Sequence, residues 1–109
     1  MAHPYSQQTL EAARLLGLEI ARARRERRWT AADLAERAGI TRTTLRKVEH
    51  GDPTVGLGFA FEAAAVVGVP LFDAVSLDDL SKLSSHSADR LALLPTRVRE
   101  SEQAVHDDF

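Results

Sequence analysis

Apolar residues recur at helical spacing along most of the chain. In the first segment, Leu16, Ile20 and Ala23 lie at positions i, i+4 and i+7, which form one face of an amphipathic helix. Ser6 precedes this segment and can accept hydrogen bonds from the first amides of the helix. The pattern therefore predicts a first helix from just after Ser6 to about residue 28.

A second and shorter helical segment follows Trp29. In the sequence TAAD, Thr30 can cap a helix, and Asp33 stands three residues later, at the spacing of a capping box. The second helix is therefore predicted over about residues 31–38. Its inward-facing residues should be Leu34, Ala35 and Ala38.

The second helix should stop at Gly39, because glycine adopts the left-handed conformation of a helix end most easily. Thr41 is a natural N-cap, so a third helix is predicted over about residues 42–50. Leu45 and Val48 are three residues apart and should face the core, whereas the opposite face is basic. The residues expected to point outward are Arg42, Thr43, Arg46 and Lys47.

The fourth segment, VGLGFAFEAAAVVG, is apolar on nearly every side. Thr54 can start a helix here, which predicts a fourth helix over about residues 55–67. An apolar surface on all sides suits burial, so we expect this helix to be the most buried element. Pro70 should close it, with Leu71 and Phe72 covering the end of the core.

A fifth helix is predicted behind Ser76, where SLDD repeats the capping pattern, and it should reach about Leu94 before Pro95. One heptad frame places leucines and serines on its a and d positions: Leu77, Leu80, Ser84, Ser87, Leu91 and Leu94. The frame is shorter than the roughly three or four heptads of a coiled coil, and a contact with a second copy or another partner is expected instead. Residues 95–109 contain few apolar side chains, which predicts a flexible tail.

Charge is distributed unevenly along the chain. Residues 22–47 contain nine Lys or Arg against three acids, whereas residues 48–109 contain four Lys or Arg against eleven acids. Such a chain offers a basic face to an anionic polymer, while its other end repels that polymer.

The composition argues against several kinds of site. A chain of 109 residues is long enough for one modest core. Because it has no cysteine and its four histidines lie far apart, we expect neither a metal nor a cofactor. No glycine-rich phosphate loop or convincing carboxylate pair is present, which predicts that the protein is not an enzyme. The sequence also lacks a signal peptide and a long apolar run, so no membrane association and a cytoplasmic location are expected.

The two short helices match the core pattern of a helix-turn-helix at four positions. These are Ala35, Gly39, Leu45 and Val48, at relative positions 1, 5, 11 and 14. A small residue lets the helices cross closely, glycine makes the turn, and two aliphatic residues seal the second helix, which enters the major groove of DNA in such motifs. The alternative is an α-hairpin with a solvated charged face, but such a face does not need so large an excess of positive charge.

The segment LGLEIARARRERRWTAADLAERAGITRTTLRKVEHG, followed by VGVPLF, resembles the lambda repressor-like helix-turn-helix regulators of the Xre type. The resemblance spans about residues 14–72. It implies an all-α fold with five helices, in which a DNA-binding domain is followed by a C-terminal helix and a flexible tail. We therefore expect the DNA-binding domain over residues 1–74 with its helix-turn-helix at about 31–50, a dimerisation or partner-binding helix over 75–94, and an acidic tail over 95–109.

Double-stranded DNA is the implied partner, and each exposed side chain can be given a role by its chemistry. Arginine donates two hydrogen bonds to guanine, and the methyl group of threonine packs on that of thymine. The residues expected to read bases are Arg42, Thr43, Arg46 and Lys47, of which the last two are expected to reach either base edges or the DNA backbone.

Hydroxyls, cations and helix-start amides suit phosphate oxygens. The backbone contacts are expected from Thr30, Ala31, Thr41, Thr44, Arg28 and Arg37. The family usually places a glutamine near Ala31, so any contact there must come from the main chain, with Arg28 or Arg37 compensating.

The resemblance also implies a partly buried ion pair between Arg24 and Glu49, which would link the first and third helices. The alternative is a surface pair that contributes ~0–1 kcal/mol. Trp29 is expected to plug the core between the first two helices rather than to stack on a partner.

A single such module makes few base contacts, and half-sites one DNA turn apart require two copies. We therefore predict a homodimer on an inverted repeat, joined by the fourth and fifth helices. Phe59 and Phe61 are expected in the core and the dimer interface.

Two biological roles fit this domain. TLRKVEHGDPTVGLG and VVGVPLF resemble segments of the HipB-like antitoxins, which implies an autoregulating repressor in a type II toxin–antitoxin module whose partner is a HipA-like kinase toxin. The short chain has little room for an effector domain, and its acidic tail is free to bind a protein. The alternative is a stand-alone Xre-family transcriptional regulator with no toxin partner.

Overall fold

The computed structural model describes residues 4–97 of the chain. Over this range the chain forms five α-helices and no strand: α1 (Gln7–Glu26), α2 (Ala31–Ala38), α3 (Arg42–Glu49), α4 (Leu57–Val67) and α5 (Leu77–Ala92). The expected all-α fold is confirmed. None of the described helices is long and apolar enough to cross a membrane.

The chain divides into two compact units, one that ends at Val75 and one that begins at Ser76. The first contains α1 to α4, and the second contains α5. Of the predicted flexible tail, residues 98–109 lie outside the described part of the chain. The functional roles expected for these segments remain predictions.

Polar residues cap the helices where the sequence predicts. The Ser6 hydroxyl accepts a hydrogen bond from the Thr9 amide at 3.2 Å, and Ser76 caps α5 in the same way. At α2 the Thr30 hydroxyl accepts from the Asp33 amide at 3.0 Å, and the Thr30 amide donates to the Asp33 carboxylate at 2.8 Å. These bonds form a complete capping box, and the hydrogen bond from the Thr30 amide lowers the pKa of Asp33.

The core of the first unit lies where α1 to α4 meet. Its buried residues are Ile20, Leu34, Ala35, Leu45, Val48, Ala63, Ala64, Val67 and Val69. The inward faces predicted for α2 and α3 are confirmed, since this set contains Leu34, Ala35, Leu45 and Val48, and Ala38 is also buried. Trp29 is half-buried and packs against it, as expected of a plug between α1 and α2.

Gly17 allows the backbones of α1 and α3 to touch. A Cβ atom at this position would overlap the carbonyl oxygen of Val48 and would lie 2.7 Å from the carbonyl oxygen of Glu49. Glycine usually weakens a helix interior because it has no side chain to restrict the unfolded chain. Here the missing side chain is what sets the distance between α1 and α3.

The start of α4 differs from the prediction. The helix begins at Leu57 with Gly56 as its N-cap, and no side chain caps it. Thr54 instead donates from its amide and its hydroxyl to Oδ1 of Asp52, at 2.8 and 2.6 Å. The prediction that Thr54 caps α4 is wrong because this local turn already uses the threonine.

The prediction that α4 is the most buried element is also wrong. Its second half contributes Ala63, Ala64 and Val67 to the core, but Leu57 and Phe59 are 68% and 52% exposed. A helix buries only the side that faces its neighbours, and α4 faces α1, α2 and α3 with the side that carries Ala63, Ala64 and Val67. Its remaining apolar surface is therefore uncovered.

Leu71 and Phe72 do not both cover the core as expected. Leu71 packs against the core, whereas Phe72 is exposed and has a left-handed backbone with φ of 54°. Phe72 keeps an edge-to-face contact with the half-buried Phe61, with ring centroids 6.4 Å apart. The left-handed backbone turns its side chain away from the core.

A substitution at Gly17 tests whether the contact between α1 and α3 requires glycine. Replacing Gly17 with alanine should destabilise the protein by about 1–3 kcal/mol, because the added methyl group must push α3 away from α1. The free energy of unfolding in urea measures the effect.

Gly58 provides the matched control because it is also helical and a Cβ there would meet no atom within 4 Å. Gly58→Ala should stabilise the protein by up to about 1 kcal/mol through the unfolded state. Equal effects of the two substitutions would show that the α1–α3 contact does not require glycine.

Candidate nucleic-acid interface

The turn between α2 and α3 is built from a left-handed glycine and a threonine cap. Gly39 has φ of 70° and ends α2, and the Ile40 amide then donates to the Ala35 carbonyl at 3.0 Å. Thr41 follows as the N-cap of α3, where its hydroxyl accepts from the Thr44 amide at 3.0 Å. The turn is therefore closed at both ends by hydrogen bonds, which fixes the direction in which α3 leaves it.

The two faces of α3 have opposite character. Leu45 and Val48 are buried in the core. The four residues expected to read bases, Arg42, Thr43, Arg46 and Lys47, are all exposed. Because no salt bridge to a described acid neutralises its three cations, this face is available to an external anion.

Thr41 and Thr44, which are expected to contact phosphates, bind each other at the start of α3. The Thr41 hydroxyl donates to Oγ1 of Thr44 at 2.9 Å while it accepts from the Thr44 amide. The Thr44 hydroxyl only accepts in this pair, so its own hydrogen remains free to donate outward. Thr44 is the better placed of the two to bind a phosphate oxygen directly.

The start of α2 offers fewer amides than the sequence suggests. The Thr30 amide is already bound to the Asp33 carboxylate. Helix geometry leaves the amides of Ala31 and Ala32 without an acceptor one turn earlier. A main-chain contact to phosphate at this helix start therefore falls to Ala31 and Ala32 rather than to Thr30.

Trp29 arranges two of the cations around the start of α2. The guanidinium carbon of Arg37 lies 4.1 Å from the centroid of the Trp29 ring, and that of Arg27 lies 5.2 Å from it. Arg27 also donates from Nε to the Val67 carbonyl at 3.1 Å, which ties the end of α1 to the end of α4. Arg28 is exposed and left-handed, with φ of 61°.

A helix-turn-helix family model matches residues 20–73, which include the end of α1 and all of α2, α3 and α4. This segment is a helix-turn-helix domain of the lambda repressor-like, Xre type. Such a domain belongs to DNA-binding transcription regulators. Comparisons with curated proteins and with solved structures gave no match.

Arg24 of α1 and Glu49 of α3 form an ion pair that clamps these two helices together. Nε of Arg24 lies 2.8 Å from Oε2 of Glu49, and its Nη2 lies 3.0 Å from Oε1, so the two side chains meet through two parallel hydrogen bonds. The remaining nitrogen, Nη1, donates to the Trp29 carbonyl at 3.0 Å. The side chains are only 11% and 10% exposed, and the bonds to Glu49 raise the pKa of Arg24.

Two positioning residues of the first unit escape the sequence prediction. Gly17 looks only like a weak point in a helix, because its contact with α3 is visible only after folding. Arg27 is one of many cations in the basic window, and nothing in the sequence shows that it binds the end of α4. Among the described residues, no group of three or more His, Asp or Glu could hold a metal ion.

The clamp predicts a strong and non-additive effect on stability. Arg24→Gln should lower the free energy of unfolding by about 3–5 kcal/mol, because it leaves the Glu49 carboxylate buried without its cation. Removing both charges with Arg24→Met and Glu49→Leu should cost less than the sum of the single changes. Denaturant unfolding of the four proteins gives the coupling energy.

Arg22 is the control for this experiment. It pairs with Glu19 at 2.8 Å on the same helix, but this pair is exposed, and exposed pairs contribute little. Arg22→Gln should leave the unfolding midpoint nearly unchanged. Additive effects at positions 24 and 49 would contradict the clamp.

Proposed function

We propose that the protein is a sequence-specific transcriptional repressor whose α3 reads bases in the major groove of DNA. The supporting observation is that α3 has two different faces. One face buries Leu45 and Val48, and the other exposes cations that form no ion pair with the described acids. A face of this kind needs an anionic partner, and the family supplies DNA as that partner. The protein acts in the cytoplasm and carries no enzymatic activity.

The base-reading residues are Arg42, Thr43, Arg46 and Lys47. Arg42 and Thr43 stand at the start of α3 and reach deepest into the groove, while Arg46 and Lys47 lie one turn later. The DNA backbone is bound by Thr44 and Thr41, by the main-chain amides of Ala31 and Ala32, and by Arg28 and Arg37. At Ala31 no side chain reaches the phosphate, and the cations nearby replace it.

The repressor acts as a homodimer on an inverted repeat. One α3 covers only a few base pairs, so two copies related by a twofold axis are needed to read a longer operator. The exposed Leu57 and Phe59 of α4 and the leucines of α5 provide apolar surface for such a contact.

The proposed biological role is that of an antitoxin that represses its own promoter and binds a HipA-like kinase toxin. The resemblance of TLRKVEHGDPTVGLG and VVGVPLF to HipB-like antitoxins supports this role. The other candidate is a stand-alone Xre-family regulator, which would use the same DNA-binding face without a toxin partner.

The DNA-binding proposal predicts distinct effects for one base-reading and one distant cation. Arg42→Ala should cost about 1–3 kcal/mol of binding to the cognate operator and relax base preference at one position of each half-site. Fluorescence anisotropy on the operator and on single-base variants measures both effects. Affinity should also fall steeply with salt, because bound phosphates release counterions.

Lys82 on α5 supplies the control, since it is exposed but paired with Asp78 at 3.1 Å within its own helix. Lys82→Ala should leave both the affinity and the base preference nearly unchanged. Binding that does not depend on salt, or an Arg42→Ala variant with normal base preference, would contradict the proposal.

The antitoxin role predicts a stable complex with the product of an adjacent gene. The protein expressed together with its neighbouring genes should co-purify with a kinase-like protein and inhibit its toxicity. If no kinase-like gene stands beside it, the stand-alone regulator is the better account, and the DNA-binding proposal is unaffected.

A further inference from the structure

The helix α5 has one apolar face and one charged face. At 100° per residue, its leucines and two of its serines fall within about a third of the helix circumference. They are Leu77, Leu80, Leu83, Ser84, Ser87 and Leu91. The charged residues occupy the other side, where Lys82 and Asp78 pair with each other.

Most of this apolar face is exposed. None of the residues of α5 is buried, Leu80 is half-buried, and Leu91 is 69% exposed. A helix of this length is marginally stable in water on its own and depends on packing of its apolar face. A contiguous exposed stripe of leucines also marks an interaction surface rather than ordinary surface composition.

The sequence of the stripe matches itself when two copies run antiparallel. If Ser84 of one helix stands opposite Ser87 of the other, Leu80 stands opposite Leu91. In the same register Leu77 stands opposite Leu94, which lies two residues beyond the end of the helix. The small serines at the centre let the helices approach closely, and leucine meets leucine on both sides.

The charges of α5 favour this orientation over a parallel one. Asp78 and Asp79 lie in its first turn, and Arg90 lies in its last turn. A parallel pair would bring the two acidic ends together, whereas an antiparallel pair brings each acidic end beside the partner's Arg90. The helix dipoles also favour the antiparallel arrangement.

We infer that α5 pairs antiparallel with the α5 of a second copy of this chain, with Ser84 and Ser87 at the crossing and Leu80 against Leu91. This inference rests on the proposed dimer and assigns its surface, orientation and register. The pair is twofold symmetric, and the same residues contribute from each chain.

Leu91 and Leu93 provide a matched pair for the first test. Both leucines are strongly exposed, at 69% and 85%, but Leu93 lies on the charged side. Leu91→Asn should weaken dimerisation on the order of a hundredfold, because each dimer loses two buried leucines. Leu93→Asn should leave the dimer unchanged in sedimentation equilibrium.

Cysteine cross-linking gives the orientation without relying on stability, since the chain has no cysteine of its own. A mixture of Leu80→Cys and Leu91→Cys chains should form a mixed disulfide under mild oxidation. Leu80→Cys alone should not, because its two copies stand about 16 Å apart in the antiparallel pair, beyond the reach of a disulfide.

The outcomes separate this inference from the function on which it rests. A Leu91→Asn protein that dimerises normally would overturn the α5 pairing and leave a dimer through another surface. Disulfides of Leu80→Cys with itself would overturn the antiparallel register. A wild-type protein that is monomeric at micromolar concentration but still binds operator DNA would overturn both the α5 pairing and the dimer. It would not overturn the proposed reading of DNA. The apolar face of α5 would then be a binding site for a different protein. Normal pairing without any DNA binding would refute the proposed function alone.

Discussion

Arg24 and Glu49 join the ends of α1 and α3 through two hydrogen bonds of 2.8 and 3.0 Å in a largely buried site. About two turns away on α1, the absence of a side chain at Gly17 lets the two backbones touch. The backbone contact at Gly17 and the ion pair between Arg24 and Glu49 together fix the distance between α1 and α3 and the rotation of α3 relative to α1. The direction in which α3 presents its outer face therefore depends on residues that never approach DNA.

Contacts within the described residues sort the cations of the basic window into three groups. Arg22 and Arg24 are paired with acids, and Arg27 and Arg37 lie against the Trp29 ring. The exposed cations of this window with neither an ion pair nor a ring contact among the described residues are Arg25, Arg28, Arg42, Arg46 and Lys47. Ion pairing therefore lowers the charge that can attract a polyanion only at Arg22 and Arg24, whereas Arg27 and Arg37 keep their charge and are held in place by the ring.

The first unit leaves apolar side chains of α1 and α4 exposed, among them Leu15, Leu57 and Phe59, and α5 in the second unit buries none of its leucines fully. Apolar residues on an exposed helix face are unfavourable in water, and pairing of identical chains removes that cost symmetrically. A dimer formed in this way would also give the reading helices the twofold symmetry that an inverted repeat requires.

The sequence by itself determined the five helices and most of their ends, because caps such as Ser6 and Thr30 act on amides only three residues away. It also determined which faces of α2 and α3 are buried, since helical periodicity sorts Leu45 and Val48 from their charged neighbours. The site residues on α3 could be named for the same reason, although their contacts with bases remain predictions.

Other features were decided only by the tertiary structure, because each depends on an atom far away in the chain. The need for glycine at position 17 arises from two carbonyl oxygens of α3, and the exposure of Leu57 and Phe59 arises from the lack of a neighbour beside the start of α4. The contacts of the Arg27 and Arg37 guanidinium groups with the Trp29 ring depend on where that ring lies. Local rules therefore predicted the elements, whereas the distances between them decided which cations remain free and which apolar faces remain open.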